Sequence, residues 1–270
     1  MIAYTWLSRA TPPPPSAVGH LNFPGGTSGS TDGRILLSRL SSNAVDIGGG
    51  EFTFEMWIRP SSTSGNNGQT TPSDGATYVS NATDGNIIVD GDGFNTGRGF
   101  IIGLGTGRLY LGIVNFPSGR TEVGTTDLRD GAWHHIAVYR DATSGLMELF
   151  VDGNREGSVT GPTGSIAHAS GSASPTTDGQ IVFGVEKLNA GWGFNGDISE
   201  IRISNNRRYN GATYTVPTAA FTSDGNTLWL AHLNEGSGTT VTDSSSSGIN
   251  GSLDGSSGPT WGTADPFGGS

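Results

Sequence analysis

The segment 131–153 restricts the fold more than any other part of this sequence. Residues 133–140 alternate between two faces of an extended strand, and both faces carry apolar side chains. We therefore predict a strand that is covered on both sides. A turn at 141–145 leads into the apolar residues 146–151, and a second turn follows at 152–154. The segment predicts an antiparallel hairpin inside a larger sheet.

The composition favours an all-β protein. The chain has 270 residues, of which 45 are glycine, and only 14% are charged. Such a composition is typical of many short strands joined by turns, and no window has helical periodicity long enough to predict a helix. At this length the chain can bury a sizeable core, either as one large domain or as two small ones.

Charge and residue usage exclude several classes of function. The net charge is -10, and Lys187 is the single lysine among 14 basic residues. No basic patch appears, so a nucleic-acid partner is not expected. Cysteine is absent, which excludes disulfides, thiolate metal sites and cysteine nucleophiles. No apolar run reaches about 18 residues, and residues 1–7 are too short for a signal sequence, so we expect a soluble product without membrane insertion or recognisable export.

A second clear strand is predicted at 51–60. Its alternation places four apolar residues on one face, and these are Phe52, Phe54, Met56 and Ile58. The other face carries Thr53, Glu55, Trp57 and Arg59. Further strands are predicted at 20–23, 34–37, 87–89, 99–104, 108–114, 120–123, 180–185 and 194–204.

The segment 131–153 resembles a signature of the laminin-G-like branch of the concanavalin A-like lectin/glucanase superfamily. The matching residues are Trp133, His135, Ala137, Gly145, Leu149, Phe150, Asp152 and Gly153. The strands at 51–60 and 194–204 resemble two further signatures of that family. The resemblance implies a jelly-roll β-sandwich of two antiparallel sheets, in which Trp57, Trp133, His135 and Phe150 are structural core residues. This fold carries lectins, glycan hydrolases, adhesion modules and structural domains, so it does not fix the function.

The predicted organisation has three parts: an extended N-terminal arm at 1–18, the sandwich at 19–262 and a short tail at 263–270. The arm contains a proline spacer after Tyr4, Trp6 and Leu7, whose apolar side chains are expected to anchor an assembly contact. The segment 228–251 resembles the element that opens domains of this family, yet here it comes last. It either closes the same sandwich or pairs with a neighbouring subunit.

The segment 206–221 resembles the tail that follows such sandwiches in bacteriophage virion proteins. This resemblance implies a structural protein of the virion surface, such as a capsid decoration, tail or fibre component, assembled in the host cytoplasm. Its expected partners are other virion proteins and copies of itself. The alternative is a module that binds host-surface glycans, with Trp192, Phe94 and Phe116 stacking on sugar rings.

Calcium is the one cofactor that the resemblance suggests. The family has an aspartate where this chain has Ser199, and the candidate ligands that remain are Asp243, Asn250 and Asp197. The alternative is that these residues only form turns. The residues 90–95 do not follow the spacing of an EF-hand loop.

Catalysis is not predicted. Glycan hydrolases that retain configuration need two carboxyl groups about 5 Å apart, and Asp197 and Glu200 are expected on opposite faces of one strand because they are three residues apart. The same reasoning separates His134 from His135, which are therefore not expected to share a metal. His135 is predicted to be a structural histidine.

Overall fold

The computed structural model describes residues 19–25, 33–38, 47–64, 86–91, 97–166, 180–185, 193–255 and 258–268. These residues form strands and turns without a helix, and no helix among them could cross a membrane. In chain order the strands are β1 His20–Pro24, β2 Arg34–Ser38, β3 Phe52–Pro60, β4 Asn86–Asp90, β5 Arg98–Gly105, β6 Arg108–Asn115, β7 Ser118–Val123, β8 His134–Arg140, β9 Leu146–Val151, β10 Asn154–Thr160, β11 Gln180–Phe183, β12 Asn195–Ser204, β13 Thr227–Ala231, β14 Thr240–Val241, β15 Gly251–Asp254 and β16 Thr260–Gly262.

The strands form two sheets of eight. Sheet I has the order β10-β9-β8-β3-β12-β1-β16, and β13 also pairs with β12. Sheet II has the order β14-β15-β2-β11-β4-β5-β6-β7. Every ladder between these strands is antiparallel, which confirms the predicted sandwich of two antiparallel sheets.

The main core lies between the two sheets. The alternation predicted for β3 is confirmed, because its four apolar residues on one face are all buried in this core. On β8 the inward residues are Ile136 and Val138. Phe183 of sheet II stacks on Trp229 of sheet I, with 5.6 Å between the ring centres. Contacts of this kind fix the separation of the two sheets.

The outer face of sheet I is covered by residues 205–222, which we call the covering segment. Tyr209 and Tyr214 of this segment pack on Ala137, Tyr139 and Phe150. A backbone hydrogen bond of 2.8 Å from Tyr214 to Gly153 attaches the segment to the turn between β9 and β10. The prediction that the 133–140 strand is covered on both sides is therefore confirmed.

The C-terminal strands complete the same sandwich. β13 lies beside β12 in sheet I, β14 and β15 extend sheet II next to β2, and β16 pairs with β1. Of the two alternatives for the segment 228–251, the structure shows closure within one chain.

A bulge in β12 makes one prediction wrong. The pairing with β3 shifts between Ser199 and Arg202, and Glu200 has a positive φ of 46°. Ile198 and Ile201 both point into the main core, so the two residues between them both point outward. Asp197 and Glu200 therefore lie on the same face of the strand, because the bulge inserts one extra residue into the alternation.

The strand β10 was not predicted, since its sequence NREGSVT is polar.

Some predicted residues lie outside the part of the chain that the structure describes. These are the arm with Tyr4, Trp6 and Leu7, and the aromatic residues Phe94 and Trp192.

Candidate functional site

Phe116 lies at the turn between β6 and β7, and it is the large apolar side chain that the described residues leave most open to solvent. Its exposed fraction is 79%. The backbone N–H of Phe116 donates a 2.7 Å hydrogen bond to the carbonyl of Gly97, the residue that precedes β5. A side chain added at Gly97 would collide with the Cβ of Phe116, 2.7 Å away. The turn is therefore held in place while the ring points into water.

A second contact fixes the same turn to the loop that follows β10. The side-chain amide of Asn115 donates to the carbonyl of Thr163 at 2.8 Å. Thr163 of that loop and Ser118, the first residue of β7, are exposed, and both carry hydroxyl groups. We call this surface, formed by residues 47–51, 97–98, 115–118 and 161–166, the Phe116 rim.

Arg140 is a buried residue that binds two loops of the Phe116 rim. This guanidinium is fully buried, and its Nη2 donates to the carbonyls of Gly164 at 2.6 Å and Pro162 at 3.2 Å. Nη1 lies 3.4 Å from the carbonyl of Gly48. Burial lowers the pKa of Arg140 to about 10, so the group stays charged at neutral pH. One buried cation thus holds two loops of the rim in a fixed arrangement.

Of the three predicted sugar-binding aromatics, the structure describes Phe116. Phe94 and Trp192 lie outside the described residues. Within the described part of the chain, the Phe116 rim therefore contains one of these three aromatics.

The calcium candidates do not form a joint site. Asp243 accepts backbone N–H groups from Leu230, Ser245 and Ile249 and hydroxyl groups from Ser245 and Ser247. A carboxylate offers about four lone-pair positions, so this side chain is saturated. Asn250 accepts the N–H of Asp243 at 2.9 Å. Asp197 is bound elsewhere, by Arg59 and Asn22.

In addition, no group of three His, Cys, Asp or Glu side chains in the described part of the chain is arranged to hold a metal ion. The contacts of Asp243 and Asn250 correspond to the turn alternative considered for these residues.

The four residues predicted as structural core occupy the outer face of sheet I. Trp57, His135 and Phe150 are buried there, with exposed fractions of 7%, 0% and 1%. Trp133 is only half-buried and packs at the margin of the same layer. The layer is separate from the main core, because it lies between the sheet and the covering segment.

Three buried carboxylates lie in this outer layer. Glu55 accepts hydrogen bonds from Arg202 at 2.7 Å and from Tyr209 at 2.6 Å. Burial alone would raise the pKa of Glu55, but His135 and Arg202 outweigh burial and lower that pKa to about 2. The other two are Glu148, which binds Arg155 and Arg207, and Glu200, which binds His232. All three join strands or the covering segment through ion pairs.

A laminin-G-type family model, described as the concanavalin A-like lectin/glucanases superfamily, matches residues 31–212. The chain belongs to this family. The two-sheet fold and the signatures at β3, β8 and β12 agree with that membership, and the concanavalin A-like fold predicted from the sequence is confirmed.

Known proteins add the following similarities. A solved "putative carbohydrate binding protein" from Bacteroides ovatus is 18% identical, with a TM-score of 0.55 over 93% of this chain and 61% of the other. Laminin alpha1 domains LG4-5 from mouse are 17% identical, with a TM-score of 0.47 over 76% of this chain and 47% of the other.

One curated relative is the rat "Sushi, von Willebrand factor type A, EGF and pentraxin domain-containing protein 1". It is 31% identical over 101 residues, which are 35% of this chain and 3% of the rat protein. The chain thus spans less than two thirds of each of these relatives.

Sequence reasoning missed the residues that support the rim. Asn115 and Gly97 contact partners that are distant along the chain, so no local pattern identifies them. Arg140 gave one signal, a charged residue on the strand face that also carries His134, Ile136 and Val138. Such a residue predicts a buried interaction, but not its partners.

Proposed function

We propose that the protein is a non-enzymatic glycan-binding module and that the Phe116 rim receives the sugar. The observation that carries this proposal is the fixed exposure of Phe116. Burying a phenylalanine would gain about 1.5–3 kcal/mol, yet contacts through Gly97 and Thr163 hold the turn so that the ring stays in water. An aromatic ring held in this way can stack on the apolar face of a pyranose ring, while nearby hydroxyl groups bond to the sugar's own hydroxyls.

Two further observations support the proposal. The family fold is one that carries lectins and adhesion modules, and the Bacteroides ovatus structure is named for carbohydrate binding. Arg140 also fixes the loops around the ring before any ligand arrives, and a preformed site loses less entropy when it binds.

The proposal that the protein is not an enzyme is supported by the hydrogen bonds that the two outward carboxylates of β12 already make. Asp197 and Glu200 share a face, but each is already engaged: Asp197 by Arg59 and Asn22, and Glu200 by the N–H of Phe221 and by His232. A general acid or nucleophile must contact the substrate, and Glu200 has no exposure at all.

Binding can be tested with an immobilised glycan array probed with the wild-type protein, Phe116→Ala and Phe116→Trp. We expect Phe116→Ala to weaken binding strongly and Phe116→Trp to keep it, because tryptophan also stacks. Ser158→Ala, an exposed change in the middle of β10, is the control and should bind like wild type. Since Phe116 is exposed, its replacement should leave the melting temperature unchanged. Glycan binding that survives Phe116→Ala unaltered would remove the rim from the proposal.

A role at a virion surface, with copies of itself and other virion proteins as partners, stays a prediction. Its basis is the sequence of the segment 206–221, and within the chain Tyr209 and Tyr214 of that segment pack on their own sheet.

The expected assembly with other copies or virion proteins is attributed to the N-terminal arm. Deletion of residues 1–16 should leave a folded sandwich that no longer assembles, as measured by light scattering. An unchanged assembly state would contradict it.

A further inference from the structure

A row of polar side chains crosses the outer face of sheet I at the end opposite to the Phe116 rim. Asn22 of β1 pairs in register with Asp197 of β12, which pairs with Arg59 of β3. On the other side Asn22 pairs with Thr260 of β16. Trp133 directly precedes β8 and packs against Arg59. The row therefore spans neighbouring strands that are about 4.8 Å apart.

Asp197 fixes the orientation of its neighbours. Its side chain is only 10% exposed, and Oδ2 accepts hydrogen bonds from Nε and Nη2 of Arg59 at 2.8 and 2.6 Å. Oδ1 accepts a hydrogen bond from the amide of Asn22 at 2.7 Å and lies 3.5 Å from Nε2 of His20. The guanidinium of Arg59 also lies over the ring of Trp133, 4.9 Å from its centre. Few rotamers remain open to these groups, so their arrangement is preorganised.

The same side chains keep hydrogen-bonding capacity that the described residues do not use. Trp133 Nε1–H and Arg59 Nη1 are donors that bond to no acceptor in the described part of the protein, and Asn22 Oδ1 is an acceptor that receives no donor there. Asn22 and Thr260 are exposed, while Arg59 and Trp133 are partly exposed. Two neighbouring donors, an amide acceptor and a hydroxyl group thus follow one another along an accessible line.

We propose that this row, formed by Trp133, Arg59, Asn22 and Thr260, is a second binding site for an uncharged saccharide chain. Each sugar hydroxyl is both donor and acceptor, which matches the mixed groups of the row. The charge of Arg59 is balanced by Asp197, and the whole chain carries a net charge of -10. An acidic saccharide would therefore gain no net attraction here.

This site goes beyond the proposed function, because it uses no residue of the Phe116 rim and lies at the other end of the molecule. β3 runs from Phe52, which pairs with Arg140 below the rim, to Pro60, which pairs with Gly196 beside the row. Two separate sites on one rigid sandwich would bind a long polysaccharide or a dense glycan layer more tightly than either site alone.

The experiment is a titration followed by the indole N–H signals of the six tryptophans in ¹⁵N-labelled protein. Trp133→Phe identifies the Trp133 signal by its absence and retains an aromatic ring under Arg59. The probes are neutral cello-, manno- and laminaripentaose, with oligogalacturonate as the acidic comparison. The variants are Phe116→Ala, which removes the rim ring, and Asn22→Ala/Thr260→Val, which spares the Arg59–Asp197 pair. Ser158→Ala is the control.

We expect the Trp133 signal to shift with at least one neutral probe, in wild type, Ser158→Ala and Phe116→Ala alike. Asn22→Ala/Thr260→Val should weaken that titration by about three- to tenfold for each hydrogen bond lost. If the shift disappears in Phe116→Ala, the second site is overturned, while the proposal that the rim binds glycans stands. A shift with oligogalacturonate alone, an unchanged titration in Asn22→Ala/Thr260→Val, or no shift at millimolar concentrations of every probe would also overturn it. Binding at the row without any effect of Phe116→Ala on the glycan array would instead remove the rim.

Discussion

The hydroxyl group of Tyr209 donates a hydrogen bond to Oε2 of Glu55, with 2.6 Å between the two oxygen atoms. Tyr209 belongs to the covering segment and Glu55 lies on β3, in the centre of sheet I. The carboxylate has no exposure to solvent. This contact therefore joins the covering segment to the sheet. Together with the ion pair to Arg202, it supplies a partner to each oxygen of a buried carboxylate.

Tyr209→Phe should destabilise the protein through this contact. It removes one donor from a buried carboxylate, and we expect the free energy of unfolding at pH 7 to fall by about 1–3 kcal/mol. Tyr139→Phe is the matched control, because the hydroxyl of Tyr139 donates to Glu51, whose exposed side chain can turn to water instead. Urea denaturation of both variants gives the comparison. Equal losses in the two variants would contradict the special role of the buried pair.

His232 should make the free energy of unfolding depend on pH above about pH 6.5. The hydrogen bond to Glu200, 2.8 Å long, raises the pKa of His232 although burial partly opposes it. A raised pKa in the folded state means that the stabilisation is fully present below about pH 6.5, the unfolded value. It is lost as the pH rises through the folded value. The free energy of unfolding should therefore decline above pH 6.5, and His232→Gln should reduce that decline.

His134 should make a second contribution to stability that is also lost as the pH rises. Burial would lower its pKa, but the hydrogen bonds to Asp152 at 2.6 Å and Asp130 at 3.0 Å raise it overall. His134→Gln should therefore remove its own part of the decline, and His134→Gln/His232→Gln should remove both parts. Urea titrations between pH 6 and 9 measure these slopes. A decline as steep in this double variant as in wild type would show that other groups cause it.

Most of the fold could be predicted from the sequence because the alternation of apolar and polar residues is a local pattern. Alternation along β3 and β8 is fixed by the two-residue period of a strand, so the buried face can be assigned from the order of residues alone. The strand β10 was missed because it is an edge strand with few apolar residues, and its position depends on pairing with β9. The bulge at Ser199 and Glu200 was missed for a similar reason. Glu200 adopts its positive φ where Phe221 and His232, both distant in the sequence, bind its carboxylate.

The candidate sites depend even more on distant contacts. Phe116 could be named from the sequence as an aromatic residue near a turn, but its anchoring needs Thr163 and the loop held by Arg140. The row at the other end combines side chains from strands that are far apart in the sequence, such as Asn22 and Asp197. Only the strand order of sheet I brings them together.

Trp57 and Trp133 should differ in their contribution to stability. Trp57 is 7% exposed and packs against Phe221 and Leu230, whereas Trp133 is half-buried at the edge of that cluster. Removing a buried aromatic side chain costs about 3–5 kcal/mol, and each kcal/mol lowers the melting temperature by about 2–4 °C in a protein of this size. Trp57→Ala should therefore melt well below Trp133→Ala in differential scanning calorimetry. The reverse order would contradict this assignment of the two environments.

The last prediction separates a calcium site from a turn at Asp243. Burial would raise the pKa of Asp243, but hydrogen bonds from Ser247, Ser245 and Leu230 lower it overall. The carboxylate thus acts as the common acceptor of the turn that follows β14, and Asn250 supports it through the N–H of Asp243. Because hydrogen bonds to a charged group contribute about 1.5–3 kcal/mol each, Asp243→Ala should destabilise the protein by at least about 3 kcal/mol.

The loss should be the same in EDTA and in millimolar calcium, since the donors involved belong to the protein. A calcium ion bound to the folded state would behave differently. At a hundred times its dissociation constant it would add about 2.7 kcal/mol, so the melting temperature of the wild-type protein would rise on addition of calcium while that of Asp243→Ala would not. We expect coincident melting curves for the wild type in both buffers. A calcium-dependent rise that Asp243→Ala and Asn250→Ala abolish would establish the metal site instead of the turn.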